Sequence, residues 1–335
     1  MIVVNIITSN EHYDNILRQI PKSGYEGFCF KLNSSEECDL LVVFEYAKQS
    51  IQVKCSPKNT WLWNMEPPDE EWEWLRKGYK YYSKVVTVDE KLKHSKIIHH
   101  PLAIPWQVER SYDFLKASDV FSFKEKQLSF ITSNYEARKG HRQRLNFLRQ
   151  IQGKLEFDLW GRGFKNMHDK AEGLLPYKYT LVVENSSYRN YWSEKLADAY
   201  LCGCLPIYYG CSNVSEYFPE TALIKVDIHQ PKKAIKIIQE AIRDNEWEKR
   251  KQTIEIARQK VLDEYQFFPT FLKLLSRYGI ADEPKEDIFI PQLTHHPSVI
   301  NPFSISRNYY LIKKTLFKRR YLDIESPFFG FTTYK

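Results

Sequence analysis

The stretch VVENSSYRNYWSEKL, residues 182–196, carries the reading that decides the fold. Thr180 to Glu184 has the apolar content of a buried strand, a polar loop follows, and Ser193 opens a helix. A strand that feeds a helix through a polar loop is the unit of an open α/β sheet, and such sheets bind ligands at the carboxyl ends of their strands. Ser193 suits the helix cap, because its hydroxyl can satisfy a free amide of the first turn. Glu194 suits the positive end of the helix dipole, whereas Lys195 is disfavoured there by up to ~1 kcal/mol. A lysine at that end makes sense if the helix amides hold a phosphate. The bland alternative is an ordinary solvated helix end. Glu184 and Asn185 sit at the strand end beside this pair, and a nearby carboxylate can accept hydrogen bonds from a ribose diol.

Working outward, the same alternation appears twice. Met1 to Ile7, Asp39 to Phe44, Thr60 to Trp63 and Lys84 to Val88 read as strands, with helices at His12 to Ile20 and Asp69 to Arg76. The run Asp39-Leu-Leu-Val-Val-Phe44 is continuously apolar after its first residue, as a strand buried on both faces requires. The pattern lapses between Pro101 and Lys126, which sets a boundary near residue 120. It restarts with strands at Leu128 to Thr132, Leu155 to Trp160, Tyr179 to Glu184, Leu205 to Tyr209 and Ala222 to Val226. Helices are expected at Gly140 to Gln152, Ser193 to Leu201, Pro231 to Arg243 and Trp247 to Phe267. Two α/β domains, 1–120 and 121–278, are therefore followed by a proline-rich basic tail, 279–335.

The totals narrow the function classes. The 335 residues are 43% hydrophobic, which excludes global disorder. Net charge is +7 with both signs interspersed, which fits an anionic small ligand but is too dilute to indicate nucleic acid. Six cysteines without C-x-x-C spacing argue against zinc and a disulfide scaffold, and read as reduced thiols of a cytoplasmic protein. The start, MIVVNIITSN, lacks a basic n-region and reads as a strand rather than a signal peptide. No run reaches the ~18 apolar residues of a spanning helix, so any membrane contact would be peripheral. The basic amphipathic stretch 308–320 is the candidate for such contact at the inner face of the membrane, or else for packing against the first domain.

Two further constellations carry chemistry. Arg138, Lys139, Arg142, Arg144 and Arg149 form a basic cluster on the first helix of the second domain. Arginines can grip a diphosphate bidentately, although such runs are more often solvated faces. Trp61-Leu-Trp-Asn-Met-Glu66-Pro-Pro ends an aromatic strand in a carboxylate fixed by two prolines, a rigid mount for a general base. Its tryptophans could stack on sugar faces, and their bulk could raise the carboxyl pKa. The alternative is a core aromatic cluster with an exposed Glu. No P-loop, G-x-G-x-x-G, G-x-S-x-G, H-E-x-x-H or D-x-D motif occurs.

Tyr177-Lys-Tyr-Thr-Leu-Val-Val-Glu-Asn-Ser, Tyr191-Trp-Ser-Glu-Lys-Leu and Gly203-Cys-Leu-Pro-Ile-Tyr-Tyr-Gly210 together resemble the donor signature of family 10 glycosyltransferases, the α-1,3/1,4-fucosyltransferases. Their pattern runs Y-K-F-x-L-x-F-E-N-S, Y-x-T-E-K and G-x-x-P-[IV]-x-x-G. Ser193 stands where the family has Thr, and the first domain lacks a clear T-Y-R-x-D-S-D-I stretch. The resemblance implies the GT-B architecture, two Rossmann-like domains facing a cleft, with GDP-fucose held by the second. It implies that Glu194 holds the ribose, that Lys195 faces the diphosphate, and that Glu184, Asn185 and Tyr191 line the donor site. Alignment after Ser133-Asn134 selects Arg144 as the diphosphate ligand, with Arg142 the second choice. Met65-Glu66-Pro-Pro stands at the family's base, so Glu66 is the implied catalytic residue.

The implied reaction is inverting transfer of L-fucose from GDP-fucose to a hydroxyl of an oligosaccharide or lipid-linked glycan, of the α-1,3 type to a GlcNAc- or Glc-like sugar. No metal or other cofactor is expected, because Arg144, Lys195 and helix amides take the place of a metal clamp, while Glu184 would stabilise positive charge at the sugar. Two readings rival it: a catalytically silent nucleotide- or carbohydrate-binding protein of the same fold, and a transferase of another GDP-deoxyhexose. Nucleic-acid binding through the Arg138 to Arg149 helix is disfavoured, because no RNA-binding motif accompanies it.

Overall fold

A computed structural model describes residues 1–294. Met1–Leu293 form one compact unit, and the stretch 308–320 lies outside the described residues. The first lobe contributes β1 (Ile2–Ile7), β2 (Phe28–Leu32), β3 (Leu40–Phe44), β4 (Ile51–Cys55), β5 (Thr60–Trp63), β6 (Lys84–Thr87) and β7 (Ile97–His99). Six of these form a sheet in the order β2-β1-β3-β5-β6-β7, parallel throughout. Its middle strands are apolar at all positions but Thr60 because both faces are covered: all five residues of β3 and all four of β5 are buried.

The second lobe begins with α1 (Tyr112–Ala117), β8 (Lys126–Ile131), α2 (Lys139–Ile151), β9 (Asp158–Trp160), β10 (Tyr177–Val183), α3 (Glu194–Leu201), β11 (Leu205–Tyr209) and β12 (Ile224–Lys225). The helices α4 (Pro231–Arg243), α5 (Glu246–Lys249), α6 (Lys251–Lys260) and α7 (Phe267–Tyr278) follow, then β13 (Glu286–Ile290). The second sheet runs β12-β11-β10-β8-β9, again parallel. β10 is central, so the loop after it opens at the carboxyl edge of the sheet, where ligands bind in such folds.

The structure departs from the sequence reading at several places. The segment His12 to Ile20 forms only short 3-10 turns, Glu11–Tyr13 and Ile16–Gln19. The stretch expected as one helix from Trp247 to Phe267 is broken at Arg250 and again by a π-helical turn, Val261–Tyr265, after which Gln266 adopts extended backbone. The chain enters the second lobe earlier than residue 120. Trp106, Val108 and Leu115 are buried in the second lobe's core. At the far end, α7 leaves the second lobe, and its Phe267, Phe268, Phe271, Leu274 and Leu275 pack into the first. Phe267 meets Phe44 and Trp63 edge-on at 4.8 and 4.9 Å, and Phe271 meets Trp61 at 5.8 Å. Burying each phenylalanine contributes ~1.5–3 kcal/mol, which is why this helix covers the first sheet. The same contacts decide between the two readings of Trp61 and Trp63: at 1% and 0% exposed they are core and offer no face to a sugar. β13 pairs antiparallel with β4, so the expected tail starts as part of the first lobe.

Candidate active site

The loop after β10 builds the site from the residues singled out above. Glu184 is 1% exposed. Its backbone N–H donates to Tyr209 at 2.9 Å, continuing the ladder to β11. Its carboxylate turns toward the start of α3: Oε1 accepts from Ser193 N–H at 2.8 Å and Oε2 from the Ser193 hydroxyl at 2.6 Å. That hydroxyl in turn accepts from Lys195 N–H at 3.3 Å and from Lys195 Nζ at 3.1 Å. Ser193 thus caps α3 while spending its only proton on Glu184, which fills the capacity of one hydroxyl.

Lys195 Nζ lies 3.2 Å from Glu194 Oε1 and 3.5 Å from Glu184 Oε2. Burial alone would lower its pKa, but Glu194 and Glu184 raise it and keep the ammonium charged. Lys170 Nζ reaches Asp198 Oδ2 at 3.0 Å and Glu194 Oε1 at 3.7 Å. Burial would raise the Glu194 carboxyl; the Lys195 and Lys170 charges overcome it and hold the group at about 2. For Glu184 the balance goes the other way, and burial raises it against the pull of Lys195. The lysine at the unfavourable end of the helix is therefore the counter-charge of two buried carboxylates.

Lys195, Lys170 and Asp198 line a cavity of about 410 Å³ together with Arg144, Thr132 and Gly161. Arg144, on the second turn of α2, is 6% exposed; its Nη1 donates to Asn185 Oδ1 at 2.6 Å, and its buried Nε has no protein partner among the described residues. Arg142 points away instead: it is exposed and donates to the carbonyls of Glu136 and Ala137. Gly140 lets α2 approach this loop, since a Cβ there would stand 1.7 Å from the Asn185 carbonyl oxygen. Tyr191, 3% exposed, packs with the first lobe's core behind the cavity rather than on its wall.

Glu66 faces the second lobe across a wider cavity of about 720 Å³. Its N–H donates to Asn64 Oδ1 at 3.1 Å, and Pro67 and Pro68 fix the turn that follows. Arg138, His141 and Asn185 form the opposite wall, and Arg162 borders both cavities, so the Glu66 cleft and the cation-lined pocket adjoin. Burial, then the charge of Glu45, pushes the Glu66 carboxyl up to about 8, against the pull of Arg138 and Lys195. The lobes are joined here. Asp69 accepts from Ser186 Oγ and from Tyr188 OH, and the Arg138 guanidinium lies 3.5 Å from the centroid of the Trp72 ring. Behind the cavity, Asp198 Oδ1 accepts from the amides of Gln107 and Val108 in the crossover between the lobes.

Sequence reasoning missed Lys170, Asp198, Gln107, His141 and Glu45. Asp198 carried a usable signal, a carboxylate one turn beyond Glu194 on the same face of α3. Lys170 lies in a loop with no periodicity to mark it.

Two Rossmann-like parallel sheets facing a cleft define the GT-B class of glycosyltransferase fold. A solved α1,3-fucosyltransferase shares it with a TM-score of 0.50 at 17% identity over 88% of this chain and 92% of that one. So does an α-glucosyltransferase in complex with UDP and DNA, with a TM-score of 0.50 at 10% identity over 82% and 98%. Residues 121–252 match the family model described as glycosyltransferase family 10 (fucosyltransferase), C-terminal. A curated relative, 4-galactosyl-N-acetylglucosaminide 3-alpha-L-fucosyltransferase 9 of Mus musculus, is 26% identical over 192 residues, 53% of this chain and 51% of that protein. The chain thus spans about half the length of this relative.

Proposed function

We propose that the protein is an inverting fucosyltransferase that moves L-fucose from GDP-fucose to a glycan hydroxyl. The observation that carries this reading is the meeting of Lys195, Arg144 and an uncompensated guanidinium N–H on one cavity wall, next to a cleft holding Glu66. Glu66 takes the proton of the acceptor hydroxyl. That oxygen bonds to the anomeric carbon from the face opposite the diphosphate, and the bond from that carbon to the phosphate oxygen breaks, releasing GDP. The developing charge on the leaving diphosphate is met by Arg144, Lys195 and the first amides of α3, fixed dipoles that need no reorganisation. Glu194, held ionised, accepts from the ribose diol. Glu184 acts through Ser193 and Lys195, keeping the ammonium aimed. This set of cations supports a mechanism that needs no metal.

The test is calorimetric titration in EDTA with GDP, UDP and ADP, followed by turnover of GDP-fucose with galactosyl-GlcNAc acceptors. Selective GDP binding that Lys195→Ala and Arg144→Ala weaken supports the donor site. Glu66→Gln should keep GDP affinity and lose turnover by 10²-fold or more. Preference for UDP or ADP would overturn the donor, and an active Glu66→Gln would overturn the base.

A further inference from the structure

Glu45 occupies the first position after β3, on the same carboxyl edge of the first sheet as Glu66. The register sets Phe44 opposite Trp63, and Glu45 N–H donates to the Trp63 carbonyl at 2.9 Å. Glu66 follows Trp63 by one short turn, so two neighbouring strand ends bring two carboxylates to one place. Glu45 is 8% exposed and has a φ of +60°, a left-handed conformation that is costly for an ordinary residue. Glycine would take this backbone without that cost. A buried carboxylate at a strained position needs partners, and it has two: Oε1 accepts from Asn10 Nδ2 at 2.9 Å, and Oε2 pairs with Lys48 Nζ at 2.8 Å. Asn10 and Lys48 both line the cavity that Glu66 faces. A strained backbone is thus borne to hold a carboxylate on two residues of the cavity wall, a pattern that belongs to functional sites.

We propose that Glu45 is a positioning residue for Glu66: a second carboxylate, held by Asn10 and Lys48 at the neighbouring strand end, that assists Glu66 in taking the proton of the acceptor hydroxyl. This rests on the reading of Glu66 as the base. After burial, the Glu45 charge is the largest influence raising Glu66, and Glu194 adds to it from the other lobe, while Arg138 and Lys195 oppose. Asp69 and His141 also line the cavity. Burial and the nearby Arg144 and Arg138 charges lower His141 to about 4, so it is neutral. Tyr13 and Tyr191, which feel the Glu66 charge, are raised above the phenol range and stay neutral too. The proton affinity of Glu66 is therefore set among several charges, with Glu45 placed at the end of the neighbouring strand. A base tuned close to the working pH transfers protons most effectively.

The experiment reads the protonation of Glu66 directly and needs no acceptor. The neutral carboxyl band of Glu66, assigned by its loss in Glu66→Gln, is titrated by infrared spectroscopy in the full chain, alongside turnover with GDP-fucose and N-acetyllactosamine. The wild-type midpoint is expected near 8. Glu45→Gln should lower it by about one pH unit or more, as loss of a nearby like charge does, and lower the rate plateau several-fold. Glu45→Asp should hold it near the wild-type value. Glu45→Gly removes the same charge while relieving the backbone, so it carries the test if Glu45→Gln fails to fold. A midpoint unmoved in a folded Glu45→Gln or Glu45→Gly protein overturns the inference while leaving the base reading intact. An active Glu66→Gln overturns the base reading, and this inference with it.

Discussion

Replacing Lys195 by methionine separates a functional cluster from a solvated helix end. Lys195 Nζ is 3.2 Å from Glu194, which sits at about 2 instead of its ordinary 4.5. A depression of that size corresponds to ~3 kcal/mol favouring the ionised form, shared between Lys195 and Lys170. The sign follows from the direction. A carboxylate whose folded pKa is lowered contributes stability that is fully present above the unfolded value near 4.5 and is lost as pH falls toward 2. Lys195→Met should return Glu194 toward its ordinary value, removing ~2 kcal/mol at pH 7 and flattening the stability profile between pH 5 and 2. Glu184 loses the ammonium that pairs with it and should take up a proton. Urea unfolding at pH 3, 5 and 7, with GDP titration on the same samples, checks both. The reasoning is refuted if the variant loses the same stability at every pH and binds GDP as before. Turnover should fall 10²- to 10³-fold, the scale of a lost donor at a developing oxyanion.

Other outcomes follow from single contacts. Arg144→Ala should weaken GDP binding at least tenfold by calorimetry, whereas Arg142→Ala, on the outer face, should leave it within twofold. Gly140→Ala must push α2 away from the Asn185 carbonyl, costing ~1–3 kcal/mol in chemical denaturation and weakening GDP binding through the displaced Arg144. Phe271→Ala should destabilise the protein by ~3–5 kcal/mol in urea, as removal of a buried phenylalanine does. A smaller cost would mean that α7 is not the cover of the first sheet.

Much of this site was legible because its parts lie close together in sequence. Glu184, Asn185, Ser193, Glu194 and Lys195 span one strand–loop–helix unit, so local patterning and a family motif reach them together. Arg144 was reachable through the family resemblance, aligned on the apolar positions of α2 with Arg142 as second choice, and the structure puts Arg144 on the inner face. Glu45, Lys170 and Gln107 come from other loops, and only packing makes them neighbours. The strands β4 and β13 escaped for the same reason. β4 has the two-residue alternation of a half-buried strand, but its partner lies beyond the whole second lobe in sequence. Trp61 and Trp63 left two readings open because aromatic residues serve cores and sugars alike, and α7, which buries them, is equally distant.

The return of α7 to the first sheet has a consequence for how the chain is made. The two passages between the lobes lie side by side. Gln19 Nε2 donates to the Trp106 carbonyl at 3.1 Å, and Gln266 Nε2 donates to the Gln19 carbonyl at 3.0 Å. In sequence terms the second lobe is an insertion between β7 and the helix that seals the first. During synthesis the second lobe is whole, and free to fold, while β1, β3 and β5 still wait with one face bare for Phe267 to Leu275. Of the two lobes, the one synthesised first is the one expected to finish folding last. Its uncovered apolar sheet is the surface a chaperone would have to guard in the interval.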